Sequence, residues 1–185
     1  MNLKQNFILI LSLIVFQMKS QEHAIKESSS IHDFRHHQIG LMLGHTHISQ
    51  GVQNGDKKWE VLPSIVLNYN YWFNEKWGLG IHTDIVVETY EVEKHLKSGS
   101  DEILERAYPV APAVMGMYKP KKHFSYLVGA GGEFANTENL FLVRGEVAYG
   151  IHILKEIELE TSISYDLRFN AYDSWGLAIG ISKYL

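Results

Sequence analysis

Apolar and polar residues alternate along most of this chain with a period of two. The stretch WGLGIHTDIVV (77–87) places apolar or methyl-bearing side chains at its odd positions and glycine, histidine and aspartate at most of its even ones. This alternation predicts a β-strand with one apolar and one polar face. Eight such segments are predicted as strands: 37–48, 59–73, 77–90, 103–118, 123–134, 140–153, 157–169 and 174–185.

The connections between these segments alternate in length. Short connections occur at 74–76, 119–122 and 154–156. The connections at 49–58, 91–102, 135–139 and 170–173 are longer on average. This alternation is typical of an up-and-down antiparallel barrel, with short periplasmic turns and longer outer loops when the barrel spans an outer membrane. We therefore predict an all-β fold, an eight-stranded antiparallel up-and-down transmembrane β-barrel over residues 36–185.

The pattern leaves two arrangements of the faces open. In a soluble periplasmic barrel the apolar face forms the core and can enclose an apolar ligand. In a membrane barrel that face contacts lipid. Aromatic residues cluster near the strand ends, as with Trp59, Trp77 and Trp175, which favours interfacial girdles and the membrane arrangement.

The polar face then lines a narrow lumen, and its charges need partners there. We predict a lumen charge network of Asp84, Glu88, Glu133, Arg144, Glu146, Glu158, Glu160, Asp166 and Arg168. Within it we expect Arg144 to pair with Glu146, and Arg168 with Glu158, Glu160 or Asp166. Either Arg144 or Arg106 is a candidate partner for Asp84 and Glu88, and His82 pairs with Asp84. A cation pore is the functional alternative to this structural role.

Three prolines interrupt the strand candidates, at Pro63, Pro109 and Pro112. Proline lacks the N–H that a closed barrel pairs, so bulges or partly unpaired strand ends are expected at these positions. If neither occurs, the candidate strand 103–118 is wrong.

The N-terminal residues predict export. Lys4 precedes an apolar run of ten, FILILSLIVF, and Ser20 offers a small residue for cleavage, so residues 1–20 are predicted to be a signal peptide. Residues 21–35 are polar and are predicted to form a flexible N-terminal segment. A transmembrane helix needs about 18 consecutive apolar residues, and no such run occurs outside the leader, whose own apolar run of ten is too short.

Composition narrows the function classes. The chain has 185 residues, which suits one domain, and its formal net charge of -4 argues against a nucleic-acid partner. It contains no cysteine, which excludes disulfides, thiolate metal sites and catalytic thiols. We predict neither a cofactor nor catalysis.

The leader, the eight amphipathic segments, the alternating connections and the final segment WGLAIGISKYL together resemble the small OmpA-like and OmpX-like outer-membrane barrels of Gram-negative bacteria. The resemblance implies an outer-membrane location and contact with outer-membrane lipid and lipopolysaccharide. It also implies insertion by the barrel-assembly machinery, which reads an aromatic residue at the end of such chains; here Tyr184 is followed by Leu185. It implies a structural, adhesive or recognition role through the outer loops, of which 91–102 is the longest, with the loop-binding partner unidentified.

Two chemical alternatives centre on the end of the first strand. His45 and His47 share one face and are weak candidates for a metal pair, without a third ligand fixed by spacing. His47 and Ser49, with Asp173 from the last strand, resemble the His-x-Ser pair and acidic residue of the lipid A deacylase barrels. That resemblance implies an outer-membrane lipid hydrolase, although in that family the pair lies late in the chain.

Overall fold

The computed structural model describes residues 36–53, 56–95 and 101–185. The predicted signal peptide (1–20) and N-terminal segment (21–35) lie outside the described residues. The strands are β1 (His37–Gln53), β2 (Asp56–Trp72), β3 (Trp77–Val86), β4 (Thr89–His95), β5 (Asp101–Ala107), β6 (Val110–Tyr118), β7 (Phe124–Glu133), β8 (Leu140–His152), β9 (Ile157–Arg168) and β10 (Asp173–Tyr184).

Eight of these strands close into an antiparallel barrel. The order β10-β9-β8-β7-β6-β3-β2-β1 is completed by pairing between β1 and β10, which runs from Gln38↔Tyr184 to Ile48↔Ser174. Strands β4 and β5 lie outside this ring and form a hairpin, whose β4 meets the end of β1 at Gly51↔Val92. The prediction of an all-β, eight-stranded antiparallel barrel is confirmed.

The β4–β5 hairpin arises because two predicted strands each divide. The chain bends at 87–88 and again at 108–109, where Tyr108 has a positive φ of 46° and Pro109 has no N–H to donate. The segments predicted as loops at 49–58 and 91–102 are largely strand, which corrects that prediction. Charged residues on both faces of these extensions hide the alternation on which the prediction relied.

The prolines fall where the barrel wall changes pairing. The carbonyl of Pro63 accepts from Val87 N at 3.1 Å, so the Pro63 nitrogen also points towards β3. Because β3 bends away there, no strand acceptor needs the N–H that proline lacks. Pro112 interrupts the β6–β7 ladder, which ends at Ala113↔Gly131 before a separate bridge joins Val110 to Phe134. The expectation of local pairing defects thus holds, and the predicted strand 103–118 persists as β5 and β6.

Burial is inverted relative to a soluble protein. Apolar side chains in the middle of the strands are exposed, including Leu43 at 66%, Ile81 at 50% and Ile163 at 58%, whereas Arg144 is 0% and Glu133 1% exposed. A barrel of eight strands has just enough interior for side chains to fill it. Within the described ranges, no helix is long and apolar enough to span a bilayer.

The barrel has two distinct ends. We call the end with the turns 73–76, 119–123 and 153–156 the turn end, and the end with the β4–β5 hairpin the hairpin end. Aromatic contacts lie at both, with Trp77 and Tyr118 4.4 Å apart at the turn end and Phe141 and Phe169 5.5 Å apart at the hairpin end. A belt of rings therefore borders the apolar exterior on each side.

Candidate functional site: the ionic network of the lumen

One carboxylate near the hairpin end collects three donors. Glu133, at the end of β7, is 1% exposed and accepts from Arg106 Nε at 2.8 Å, from Arg168 Nε and from the hydroxyl of Tyr172 at 2.7 Å. Two guanidinium groups therefore contact one carboxylate. Arg168 also lies over the Tyr172 ring, 4.5 Å from its centroid, which adds a cation–π contact.

The hydroxyls of Tyr90 and Tyr172 extend this cluster, at a separation of 2.6 Å. Burial raises the pKa of both phenols, so both are protonated. Because Tyr172 donates its one hydroxyl proton to Glu133, Tyr90 is the donor to Tyr172. This hydroxyl chain links β4 of the projecting hairpin to the barrel wall.

A second contact fixes the hairpin against the loop 134–139. Arg106 on β5 donates from Nη1 to the Glu138 carbonyl at 2.5 Å, and the Thr137 hydroxyl donates to the Glu105 carbonyl at 2.6 Å. Eight buried apolar or aromatic residues pack beneath these contacts: Ile48, Leu62, Val86, Tyr90, Val92, Leu104, Leu140 and Tyr172. The hairpin end is therefore plugged by side chains and held by a buried arginine.

Arg144 of β8 bridges the middle of the lumen. Its Nε and Nη2 each lie 2.7 Å from one oxygen of Asp166 on β9, and its Nη1 lies 3.1 Å from Asp84 on β3. Asp166 is also 3.3 Å from Arg168 Nη2, which joins this node to the Glu133 cluster. A bidentate arginine–carboxylate pair fixes both the distance and the orientation of its partners.

The ring of His82 on β3 is oriented by a chain of amides. Trp72 Nε1 can only donate, so Gln38 presents Oε1 to it, at 3.0 Å. Asn70 Nδ2 donates to the same oxygen at 3.1 Å, which leaves Asn70 Oδ1 2.9 Å from His82 Nε2. The other ring nitrogen lies 2.9 Å from the Glu146 carboxylate. The Asn70 oxygen therefore accepts from Nε2 of the His82 ring, and the contact with Glu146 joins β3 to β8.

The turn end of the lumen holds the remaining charges. Glu158 contacts Lys119 Nζ at 3.4 Å and accepts from the Tyr184 hydroxyl at 2.9 Å and Gln38 Nε2 at 3.3 Å. Glu160 accepts from the Ser182 hydroxyl and makes no ion pair within the described residues. It is the one carboxylate of the predicted network that is buried there without a cation.

Two small cavities lie in the lumen on either side of these contacts. One, of about 20 Å³, borders His82, Glu160 and Lys119, and the other, of about 10 Å³, borders Asp84 and Glu146. Each is about the size of a water molecule. The buried Oε1 of Glu146 has no hydrogen-bond partner among the described residues, and Glu146 is one of the residues that line the second cavity.

The interior keeps two of the predicted pairs and changes others. Asp84 binds Arg144, one of its two candidate partners, and Arg168 contacts Asp166. Arg144 also binds Asp166 where Glu146 was expected, His82 binds Glu146 rather than Asp84, and Arg106 binds Glu133. Glu88 is exposed, because the chain bends at 87–88 and carries its side chain out of the lumen. The other eight predicted residues line the lumen or its rim. The predicted network did not include Tyr90, Tyr172 or Gln38. Parity along the strand is a signal that places Gln38 inside, whereas Tyr172 lies in the turn between β9 and β10, where parity gives no signal.

The chemical alternatives at the end of β1 do not assemble. The His47 ring stacks on Trp175 with centroids 3.7 Å apart. Ser49 accepts from the backbone nitrogen of Asp173 at 3.2 Å, whereas the Asp173 carboxylate accepts from the Tyr165 hydroxyl at 2.9 Å. Among the described residues, no hydrogen bond joins the His47 ring to Ser49 or Asp173.

The metal pair has no third ligand either. His45 is exposed on the outer surface, two residues before His47. The described part of the chain holds no group of three or more histidine, cysteine, aspartate or glutamate side chains that could bind a metal ion.

Comparison with solved structures agrees with this architecture. The outer membrane protein OprG from Pseudomonas aeruginosa matches at 14% identity over 82% of this chain and 97% of its own, with a TM-score of 0.52. Ail, the attachment invasion locus protein of Yersinia pestis, matches at 13% identity over 80% and 99%, with a TM-score of 0.48. Neisserial surface protein A matches at 9% identity over 80% and 97%, with a TM-score of 0.49.

No family model matches the sequence, and no curated protein matches it significantly. At such low identity the similarity to OprG shows the fold alone. The chain therefore has the fold of the small outer-membrane barrels.

Proposed function

We propose that this protein is an outer-membrane barrel with a closed lumen, which acts through the surface of its hairpin end in recognition or adhesion. The observation that carries the proposal is the inverted burial. Apolar side chains as large as Leu43 and Ile163 are more than half exposed in the middle of the barrel wall. Such a continuous apolar surface is stable in lipid and prone to aggregate in water.

The filled lumen supports a role other than conduction. The Arg144 guanidinium joins β3 to β9 and the His82–Glu146 pair joins β3 to β8, so ion pairs cross the interior in two places. An ion that entered would have to displace partners that already satisfy each other in a medium of low dielectric. The interior is also unsuited to an apolar ligand, because its cavities are water-sized and bordered by charged groups.

The hairpin end supports a recognition role. Ile103 of β5 is 58% exposed and Tyr108 is 64% exposed, beside the exposed carboxylates of Glu91 and Glu105. Arg106 and Thr137 tie this surface to the loop 134–139, so it is presented in one conformation. A pre-organised surface loses less conformational entropy when it binds a partner.

The test is fractionation of a Gram-negative host that expresses the full chain. We expect the protein in outer-membrane fractions, with gel mobility that changes on heating, as a folded barrel resists detergent. Recovery of the chain in the soluble periplasmic fraction would overturn the membrane assignment.

Conductance of the purified protein in planar bilayers tests the closed lumen. We expect no steady conductance above that of the empty bilayer. A stable open channel with the native sequence would overturn the closed-lumen part of the proposal and leave the membrane assignment standing.

A further inference from the structure

We propose that the turn end of the barrel binds the anionic headgroups of the lipids that surround it. This inference rests on the proposed function, because it requires the barrel to be in a bilayer. The binding surface lies outside the lumen, and it gives the protein a preference for anionic over zwitterionic lipids.

Five exposed lysines ring the turn end. They lie in the three turns and at the end of β10: Lys76, Lys121, Lys122, Lys155 and Lys183. The ion pairs of this end within the described residues use Lys119 and His152, which both contact the interior Glu158. The five lysines are therefore available to ligands from outside the chain.

Few acidic side chains lie near the five exposed lysines of the turn end. The turns carry two carboxylates, Glu75 and Glu156, against the five lysines. Four histidines add to the positive potential whenever they protonate, and they lie at the same end: His36, His37, His123 and His152. The turn end is thus a surface of net positive charge.

Among the described side chains, the opposite end carries more exposed carboxylates than exposed lysines. Exposed carboxylates at the hairpin end include Glu88, Glu91, Glu105 and Glu138, whereas the exposed cation described there is Lys58. Because the chain as a whole carries a formal net charge of -4, the excess of lysine at the turn end is a local feature. Such an asymmetry favours anionic ligands at one end of the barrel only.

The lysines lie where lipid headgroups would be. Trp77 is 54% and Phe124 44% exposed on the outside of the barrel. Trp77 directly follows Lys76, and Phe124 lies two residues after Lys122. Aromatic rings of this kind occupy the membrane interface, and long lysine side chains reach from there to phosphate groups.

The first turn is rigid. Asn74 Oδ1 accepts from the backbone nitrogens of Lys76 and Trp77 at 2.9 and 3.0 Å. Lys76 therefore leaves the wall from a fixed backbone position. Polybasic surfaces next to a membrane bind anionic lipid by this combination of charge and proximity.

The test measures lipid retained by the purified, folded full chain in a neutral detergent. The chain is offered phosphatidylglycerol or phosphatidylcholine with matched acyl chains, and bound lipid is counted by native mass spectrometry. We expect at least about tenfold more phosphatidylglycerol than phosphatidylcholine at low salt, with the difference shrinking at high salt.

Two variants locate the effect. In the first, Lys76, Lys121, Lys122 and Lys155 are changed to Gln, and the preference should fall to within about twofold of none. In the matched control, four hairpin-end carboxylates are changed to Gln (Glu88, Glu91, Glu105 and Glu138), and the preference should be unchanged. Heat-modifiable gel mobility verifies that each variant is folded.

The outcomes separate the two proposals. A folded native chain without preference for phosphatidylglycerol, or a lysine variant that keeps it, overturns the lipid assignment and leaves the barrel in its membrane. A chain that is soluble overturns the proposed function itself. Lysine-dependent sedimentation with purified peptidoglycan, without lipid preference, would assign the surface to a wall polymer and also overturn the inference.

Discussion

Replacement of Arg144 by methionine tests whether the lumen network holds the barrel together. Arg144 is 0% exposed, and its guanidinium makes two bonds of 2.7 Å to Asp166 and one of 3.1 Å to Asp84. Methionine keeps much of the side-chain volume and removes the charge. The change leaves two carboxylates in the lumen without their main partner.

The expected loss of stability depends on the partners that Asp166 and Asp84 retain after the substitution. Removing one partner of a buried ion pair destabilises a protein by about 3–5 kcal/mol. Asp166 retains Arg168 at 3.3 Å, and Asp84 borders a water-sized cavity, so both are partly compensated. We therefore expect a loss of about 3 kcal/mol in the free energy of unfolding, at the lower end of that range.

A double-mutant cycle isolates the pair itself. Asp166→Asn alone should also be destabilising, because it leaves the Arg144 charge without its bidentate acceptor. In the double variant, with Arg144→Met and Asp166→Asn, the two losses should not add. We expect a coupling energy of about 2 kcal/mol, within the range seen for residues that share a hydrogen-bond network.

The assay is urea unfolding of the chain in vesicles of zwitterionic lipid, followed by tryptophan fluorescence and by gel mobility. Lys121→Met is the control, since it removes an exposed cation of the turn end and should change stability by less than about 0.5 kcal/mol. A loss below about 1 kcal/mol for Arg144→Met, or strictly additive effects in the cycle, would refute the reasoning.

Three further predictions follow from the walls and the hairpin end. Ile81→Arg places a charge on the apolar exterior and should cost about 2–4 kcal/mol in vesicles; no effect would indicate that this face meets water. Gly80→Ala should destabilise by about 1–3 kcal/mol because an added Cβ lies 2.3 Å from Asn70 Oδ1, whereas Gly145→Ala, with nothing within 4 Å, should be nearly neutral; equal effects in urea unfolding would contradict the packing argument. Tyr172→Phe should cost about 1–3 kcal/mol and speed proteolysis of the hairpin, and unchanged cleavage would show that its hydrogen bond to Glu133 does not hold that hairpin.

At Gly80 the sequence pattern and the structure predict different effects of a substitution. From sequence alone, a small polar substitution such as Gly80→Ser on the lumen face is expected to be mild, since that face is polar. A Cβ added at Gly80 would lie 3.0 Å from the Tyr69 carbonyl oxygen and 2.3 Å from Oδ1 of Asn70, whose amide orients His82. Close approach of a backbone from the neighbouring strand leaves no pattern in the sequence, so it cannot be predicted there.

At the hairpin end, too, the sequence pattern predicts only part of the fold. Pro109 and the apolar–polar alternation were visible in the sequence, and they predicted a defect in the fourth strand. In the structure this defect is a bend at 108–109, and it lies beside the bend at 87–88. Because the two bends are close in space, β4 and β5 form a separate hairpin, which meets β1 at Gly51↔Val92. That proximity is set by register across strands.

The sequence by itself determined the number of barrel strands, their antiparallel order and which face of each is apolar, because alternation and connection length are local properties. It also determined which charges face inward, with Glu88 as the exception. The sequence left several partners open for these charges, and only the tertiary structure decided among them. Arg144 meets Asp84 across 60 residues and His82 meets Glu146 across 64, since such contacts depend on the shear and closure of the barrel and not on spacing along the chain.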